Sequence, residues 1–421
     1  MIDLINSQFV PDRQALMNAI DIIAENYVKL SLNIGQHSTY YVDAYYGPKA
    51  WQEQTTKQPL TQLKECALAL INQAEQLTDI EESEQQARLN FLLIHLTASH
   101  AYIDQLMGNT LDFYSECKAL YDATPPKYNE QHFDKILVEL DALVPGEGEL
   151  NLRLNSYRED FIIPKDKLTP VFDAAINEAR TRTLQYIDLP DNENFTVELV
   201  NKQIWTAYNW YKGDSYSLIQ LNTDFPMTIE RAIDLAAHEG YPGHHIFNAQ
   251  MEKHLVKKRN WVEYSIYNLF GPTSLLAEGS ANYGIHVAFP WQERIAFERD
   301  VLFPIAGMDP AKSELYYQIQ TVLHQLSYAD NMVAQRYCDG EVSDEEAITL
   351  LMKYSLSSEA RSKQRLSFYQ HNRSYVITYN YGQDLVKQYL AKQAKNNSHD
   401  ELWRVFAQLL AKPKTASMMQ G

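Results

Sequence analysis

The sequence predicts a mostly α-helical protein built as one large unit with a single small β element. Three observations carry this reading. Apolar residues recur at helical spacing along most of the 421 residues. Period-two alternation is confined to a short region near residue 195. No internal repeat or long linker divides the chain. Apolar residues make up 45% and charged residues 22%, enough core formers to exclude disorder over most of the length.

The elements follow in order. Residues 12–31 have the spacing of an amphipathic helix ending near Gly35. An aromatic loop from Ser38 runs to Gly47-Pro48, and 49–78 looks helical. Ser83, with Gln86 three residues on, has the form of a capping box. The stripe Leu89, Leu92, Leu93, Leu96 and Ile103 then continues to Gly108. Helical pattern returns at 110–121, stops at Pro125-Pro126, and resumes at 131–144 before the loop Pro145–Gly148. Thr169-Pro170 reads as an N-cap with proline in the first turn, opening a helix to about Ile187. Phe195–Val200 alternates with period two, and Ser215–Asn222 does so loosely; these are the strand candidates. Helices resume at Thr228. Ser343 and Glu346 form a second capping box, opening a helix to Tyr354. The tail from Lys412 is expected to fray.

Charge and cysteine content narrow the function. Lys and Arg number 37 against 54 Asp and Glu, a net charge of −17. Such a chain repels phosphate backbones and anionic bilayers, so neither nucleic acid nor membrane is an expected partner. The three cysteines, Cys66, Cys117 and Cys338, are widely spaced and form neither a disulfide framework nor a CxxC clip. The opening residues show no secretory pattern, and no apolar run approaches a membrane span. A cytoplasmic location is expected. The 28 tyrosines suit half-buried packing or a tyrosine-lined cleft.

The segment Ala236–His245, AAHEGYPGHH, holds three of the twelve histidines beside a glutamate. It approaches HExxH, in which two His share a helix face and the Glu acts as base. The spacing is wrong for a regular helix. His244 would lie about 240° round from His238, and His245 would return to the same face about 10 Å along the axis. With zinc–nitrogen bonds near ~2 Å, one ion could not hold either pair. Pro242 and Gly243 break helices. Either the chain turns back there and returns His244 or His245 to His238, or the segment is a packed turn. The apolar run AIDLAA before it favours a buried metal site, because buried His and Glu need partners. A third ligand is sought on another helix, and Glu278 in LLAEGSANY is the candidate, against the alternative of a partly exposed helical Glu. Asn282, one turn on, is placed to bond to that carboxylate.

HEGYPGHH with LAEGSANYG downstream resembles the bacterial family known as domain of unknown function 885, whose members carry HExxPGHH and a later EGWA-like segment. The likeness runs from about Tyr211 to the C-terminus, with 1–194 a looser helical part and 195–421 carrying the metal motif. That family resembles the helical gluzincin metallopeptidases, such as neurolysin and angiotensin-converting enzyme, which implies a bilobed helical domain with a central cleft. The resemblance favours His244 over His245, makes Glu278 the third ligand and Glu239 the base. It suggests that Gln220-Leu221-Asn222 is a strand to which a peptide pairs. The family's Gly-x-His before the Ser343 helix is absent here; His324 and His286 are possible stand-ins, each also readable as a core or surface histidine.

The expected activity is zinc-dependent hydrolysis of short peptides, with one Zn2+ on His238, His244 and Glu278. Glu239 would act as general base. Tyr379, Tyr375 and Arg373 are candidates for stabilising the oxyanion or holding a substrate carboxylate, with a surface ion pair as the alternative for Arg373. Competing readings are a non-catalytic peptide-binding protein and a metal amidase.

Overall fold

The helical spacing of the first half becomes α1 (Arg13–Gly35), α2 (Lys49–Glu53), α3 (Leu60–Glu75), α4 (Ser83–Leu106), α5 (Phe113–Tyr121), α6 (Glu130–Leu143), α7 (Leu150–Glu159) and α8 (Leu168–Leu184). The computed structural model describes residues 13–78, 80, 82–203, 205–396 and 398–421, with side chains from residue 16 onward. The start of the 12–31 helix and the opening residues therefore lie outside the described residues. The expected continuous helix at 49–78 is split before Pro59, which stands at the N-cap of α3 and disfavours helix in the residue ahead of it.

Two N-termini differ from expectation. Ser83 is itself the first helical residue of α4, so it cannot cap, and Gln86 reaches forward to Asn90 instead. A short 3-10 turn runs into α8, which starts at Leu168. Pro170 still falls in the first turn, where a missing N–H costs no helix bond. The Ser343 capping box forms as read.

Strands arise in two places. β1 (Val42–Tyr45) lies inside the segment read as an aromatic loop, and pairs antiparallel with β5 (Ile266–Asn268). The alternating region holds β2 (Asn194–Val200), β3 (Ala207–Gly213) and β4 (Tyr216–Asn222), in the order β2-β4-β3. β4 pairs parallel with β2 and antiparallel with β3. Both its edges are used, so Gln220–Asn222 cannot add a substrate strand. The strand with a free side in this sheet, next to the metal motif, is β3.

The second half supplies α9 (Glu230–Leu235), α10 (His244–Met251), α11 (Pro272–Ala288), α12 (Trp291–Phe297), α13 (Phe303–Ala306), α14 (Ser313–His324), α15 (Ala329–Cys338), α16 (Asp344–Tyr354), α17 (Glu359–Asn372), α18 (Ile377–Gln393), α19 (His399–Ala411) and α20 (Ala416–Gln420). The fold is mostly α, with small sheets. Its buried apolar side chains form one continuous core from Ile20 to Met419. Seven tyrosines, among them Tyr27, Tyr316 and Tyr369, are fully buried in it, so packing accounts for much of the tyrosine excess. The tail does not fray: Thr415, Ala416 and Met419 are buried, and the Asp122 carboxylate accepts from Ser417 N and Thr415 Oγ1 at 3.0 Å each. Among the described residues no helix is long and apolar enough to cross a membrane.

α11 and α18 pack against each other at close range, and glycines permit it. A Cβ built on Gly279 would stand 2.3 Å from the Gly382 carbonyl carbon, and one on Gly382 would stand 2.5 Å from Leu275 O. Gly382→Ala is expected to force the two helices apart and cost ~1–3 kcal/mol, read as a lowered urea midpoint.

Candidate metal centre

The helix break demanded by the His spacing is present. α9 widens into a π-helical turn, Ala236–Gly240, and Tyr241 is extended. The Tyr241-Pro242 peptide is cis, and a new helix, α10, begins at His244. Gly243 makes the fold-back possible. A Cβ there would lie 1.9 Å from His238 O and 2.4 Å from Ala237 O, so no larger residue fits without moving backbone. The Gly243 N–H donates to Ala237 O at 2.9 Å, which pins the return.

The break brings His244 back onto His238. Their Nε2 atoms are 3.1 Å apart. Glu278, from α11, places Oε2 at 3.2 Å from His238 Nε2 and 3.6 Å from His244 Nε2. The three side chains are 14, 12 and 9% exposed. Ligand bonds of ~2.0–2.1 Å at tetrahedral angles separate ligand atoms by about 3.3 Å. The observed separations bracket that value. Glu278 Oε2 is buried without a well-formed hydrogen bond, which is what a carboxylate oxygen aimed at a cation looks like. The residues fit a zinc-sized ion with nitrogen and oxygen ligands.

The neighbours fix the ligand atoms. Asn282 Nδ2 donates to Tyr379 O at 3.0 Å, which turns its Oδ1 toward His238 Nδ1, also 3.0 Å away. Nδ1 therefore carries the proton and Nε2 offers its lone pair to the centre. Asn282 thus serves His238 and not the carboxylate. The other carboxylate oxygen, Glu278 Oε1, accepts from Tyr375 OH at 2.8 Å. The hydroxyl proton of Tyr375 is committed to a ligand, so this tyrosine positions Glu278 and is not free for an oxyanion. Arg373 is likewise committed: Nε donates to Glu116 at 2.6 Å and Nη2 to Leu111 O. It takes the ion-pair alternative. Tyr379, in the first turn of α18 and ring to ring with Tyr375, has its hydroxyl in hydrogen-bonding reach of the Tyr375 side chain. Burial and the Glu278 charge push this phenol well above its usual range, so it stays a neutral donor.

His245 faces away. It is fully buried, with Nδ1 2.8 Å from Ser217 Oγ and Nε2 2.9 Å from Glu193 Oε1. Glu193 also holds Tyr241 OH and Arg180. His286 and His324 stack edge to face, 6.1 Å apart, and hydrogen-bond to none of His238, His244 and Glu278. Burial lowers His286 to about 4, as in an ordinary neutral core histidine.

Glu239 is buried, and its carboxyl makes no hydrogen bond among the described residues. Asn209 Nδ2 on β3 holds its backbone carbonyl at 2.6 Å. Burial pushes the Glu239 carboxyl up, the imidazoles of His238 and His244 oppose this, and Glu278 adds to the rise. Two residues at the site escaped the sequence reading. Asp43, on β1, lies in electrostatic reach of His244, Glu278 and Glu239; burial raises it to about 7. Tyr208 OH on β3 donates to it. A lone acid within YYVDAYYG was the available signal.

Burial opposes a charge on His244, but the Glu278, Glu239 and Asp43 carboxyls outweigh it and push this imidazole up to about 9. A metal ion taking His244 as a ligand would have to displace that proton. Apparent zinc affinity should rise up to ~tenfold per pH unit until about pH 9, measured by chelator competition. The raised imidazole stabilises the metal-free fold fully below its ordinary ~6.5 and loses that contribution as pH rises through about 9, so the metal-free Tm should fall across this window. Tyr375→Phe and Asn282→Leu should each weaken zinc binding ~10–100-fold.

No family model and no curated protein matches this chain. Among solved structures, it is similar to a Colwellia psychrerythraea protein provisionally described as a lipoprotein. The identity is 14% and the TM-score 0.52, covering 97% of this chain and 69% of the other. It also matches a Pyrococcus furiosus carboxypeptidase at 13% identity and TM-score 0.43, covering 98% and 94%. The first likeness is one of fold.

Proposed function

We propose that this chain is a zinc-dependent peptidase acting on short peptides, a single domain over 1–421 of the helical gluzincin type that the HExxPGHH segment resembles. One observation carries the reading: two imidazoles and a carboxylate converge at tetrahedral spacing, with the Glu239 carboxyl in their electrostatic reach and making no hydrogen bond among the described residues. The chain's three cysteines are free, as suits a reducing cytoplasm.

His238, His244 and Glu278 would hold the ion, and Tyr375 and Asn282 keep the ligand atoms turned toward it. When bound, zinc supplies Lewis acidity that acidifies water and polarises a carbonyl. Glu239 accepts the water's proton on its carboxylate and returns it to the leaving amine. Its raised pKa favours this, since a base nearer neutrality can both take and give the proton. The Tyr379 hydroxyl, held neutral by burial and the Glu278 charge, is the candidate donor to the developing oxyanion. Asp43 and Tyr208 form a polar wall toward β3, whose free edge gives an extended peptide a main-chain partner.

Zinc content and hydrolysis of a mixed short-peptide library test the reading together. Wild type should carry about one zinc per chain and cleave. Glu239→Gln should keep the zinc and lose turnover by ~100-fold or more. His244→Ala should lose the metal, and His245→Ala should retain it if folded. A fully active Glu239→Gln protein would remove the base assignment. Wild type that takes up no zinc on reconstitution would leave a peptide-binding protein as the better account.

A further inference from the structure

In a chain of net charge −17, an arginine held half-buried without an acidic partner needs a cause. Arg361, in the first turn of α17, is such a residue. Its guanidinium lies over the Phe225 ring, 4.2 Å from the centroid, and no side chain or carbonyl among the described residues hydrogen-bonds to it. A helix N-terminus disfavours a cation as well. Glu359, two residues away, is paired with Lys363.

Two more arginines gather there. Among the described residues Arg231 on α9 pairs only with Asp234, at 3.3 Å, and Arg294 holds that carboxylate more closely, at 2.8 Å. Arg158, near the end of α7, makes no ion pair among the described residues. The chain after α7 is stitched to the chain before α9: Ile162 bridges Thr228, and Ile163 N donates to Met227 O at 2.8 Å. Phe225 belongs to the same stretch. The Arg361 guanidinium thus packs on this stretch, within electrostatic reach of Arg231 and Arg158.

This cluster adjoins the metal centre. Arg231 precedes His238 by seven residues, ~10 Å along the helix axis, and lies in electrostatic reach of the Glu239 carboxyl. Arg365, one turn beyond Arg361, lies 6.0 Å from the Tyr379 ring centroid. Both helices therefore carry an arginine past the same end of the site. Ten ångströms is the span of about three extended residues.

We propose that Arg361 and Arg231, backed by Arg158, anchor a carboxylate of the peptide substrate about three extended residues from the bond that is cut. The guanidinium fork binds a carboxylate bidentately, whether it is the substrate's C-terminus or an acidic side chain. The inference rests on the peptidase reading for its substrate, but its test is a binding measurement.

Calorimetry on zinc-loaded Glu239→Gln protein would compare three probes: tetra-alanine, its C-terminal amide, and an acetylated amide peptide with one internal glutamate. At least one carboxylate probe should bind about tenfold or more tighter than the neutral amide, and the tighter of the two identifies the source. Arg361→Gln and Arg231→Gln, each added to this background, should erase the preference, while Arg361→Lys keeps part of it. Circular dichroism checks folding, and Arg231→Gln decides if Arg361→Gln does not fold. Equal binding of all probes, no binding, or a preference that survives both arginine variants overturns the proposal. Carboxylate-dependent binding by a wild type that cleaves nothing keeps the anchor and removes the peptidase reading. Cleavage without carboxylate preference does the reverse.

Discussion

A carboxylate kept out of water at a helix–helix contact is the constraint from which the site follows. Isolating a charged Glu278 inside the core would cost several kcal/mol, so both its oxygens must be answered. Tyr375 answers one. That hydroxyl can reach only because α18 lies against α11 at glycine-to-glycine distance. The other oxygen faces two imidazole nitrogens, one of which arrives by breaking a helix. The glycines at 279, 382 and 243 are thus parts of one requirement: backbone must approach backbone wherever a side chain has to meet Glu278.

The fold-back onto His238 was legible because the argument is local, although the spacing alone left His244 and His245 both open. Six residues of regular helix cannot return a side chain to its starting face, and Pro242-Gly243 says where regularity ends. The Ser343 cap was legible for the same reason. What the sequence concealed depends on contacts distant in the chain. Asp43 reaches the centre because β1 pairs with β5, more than two hundred residues later, and nothing within YYVDAYYG specifies that partner. Arg373 could be read as a substrate contact or as an ion pair, and only the fold shows that Glu116, from the other half of the chain, takes its guanidinium. β4 looked like an edge until β2 came in parallel beside it, and alternation within one strand does not reveal how many neighbours it has.

Adjacent histidines illustrate how burial sorts equivalent residues. His244 and His245 stand about 100° apart on α10, so only one can face Glu278. The other enters the core, where an imidazole is tolerated only with both nitrogens satisfied. Ser217 and Glu193 supply those partners, and Glu193 is itself steadied by Tyr241 and Arg180. The environment of His245 therefore helps to choose His244 as the ligand, because turning the segment the other way would strand Glu193 without its imidazole.

This buried network also explains why a small sheet sits beside a helical site. Breaking a helix forfeits backbone hydrogen bonds that must be made elsewhere. Here the sheet makes them good. Asn209 on β3 takes the Glu239 carbonyl, which the chain break has released from the helical ladder, and Ser217 on β4 holds the imidazole next to the ligand. The residue that needs the freest carboxyl, Glu239, has its backbone fixed from the strand side. Its side chain can then do without a hydrogen-bond partner among the described residues, because its position no longer depends on one.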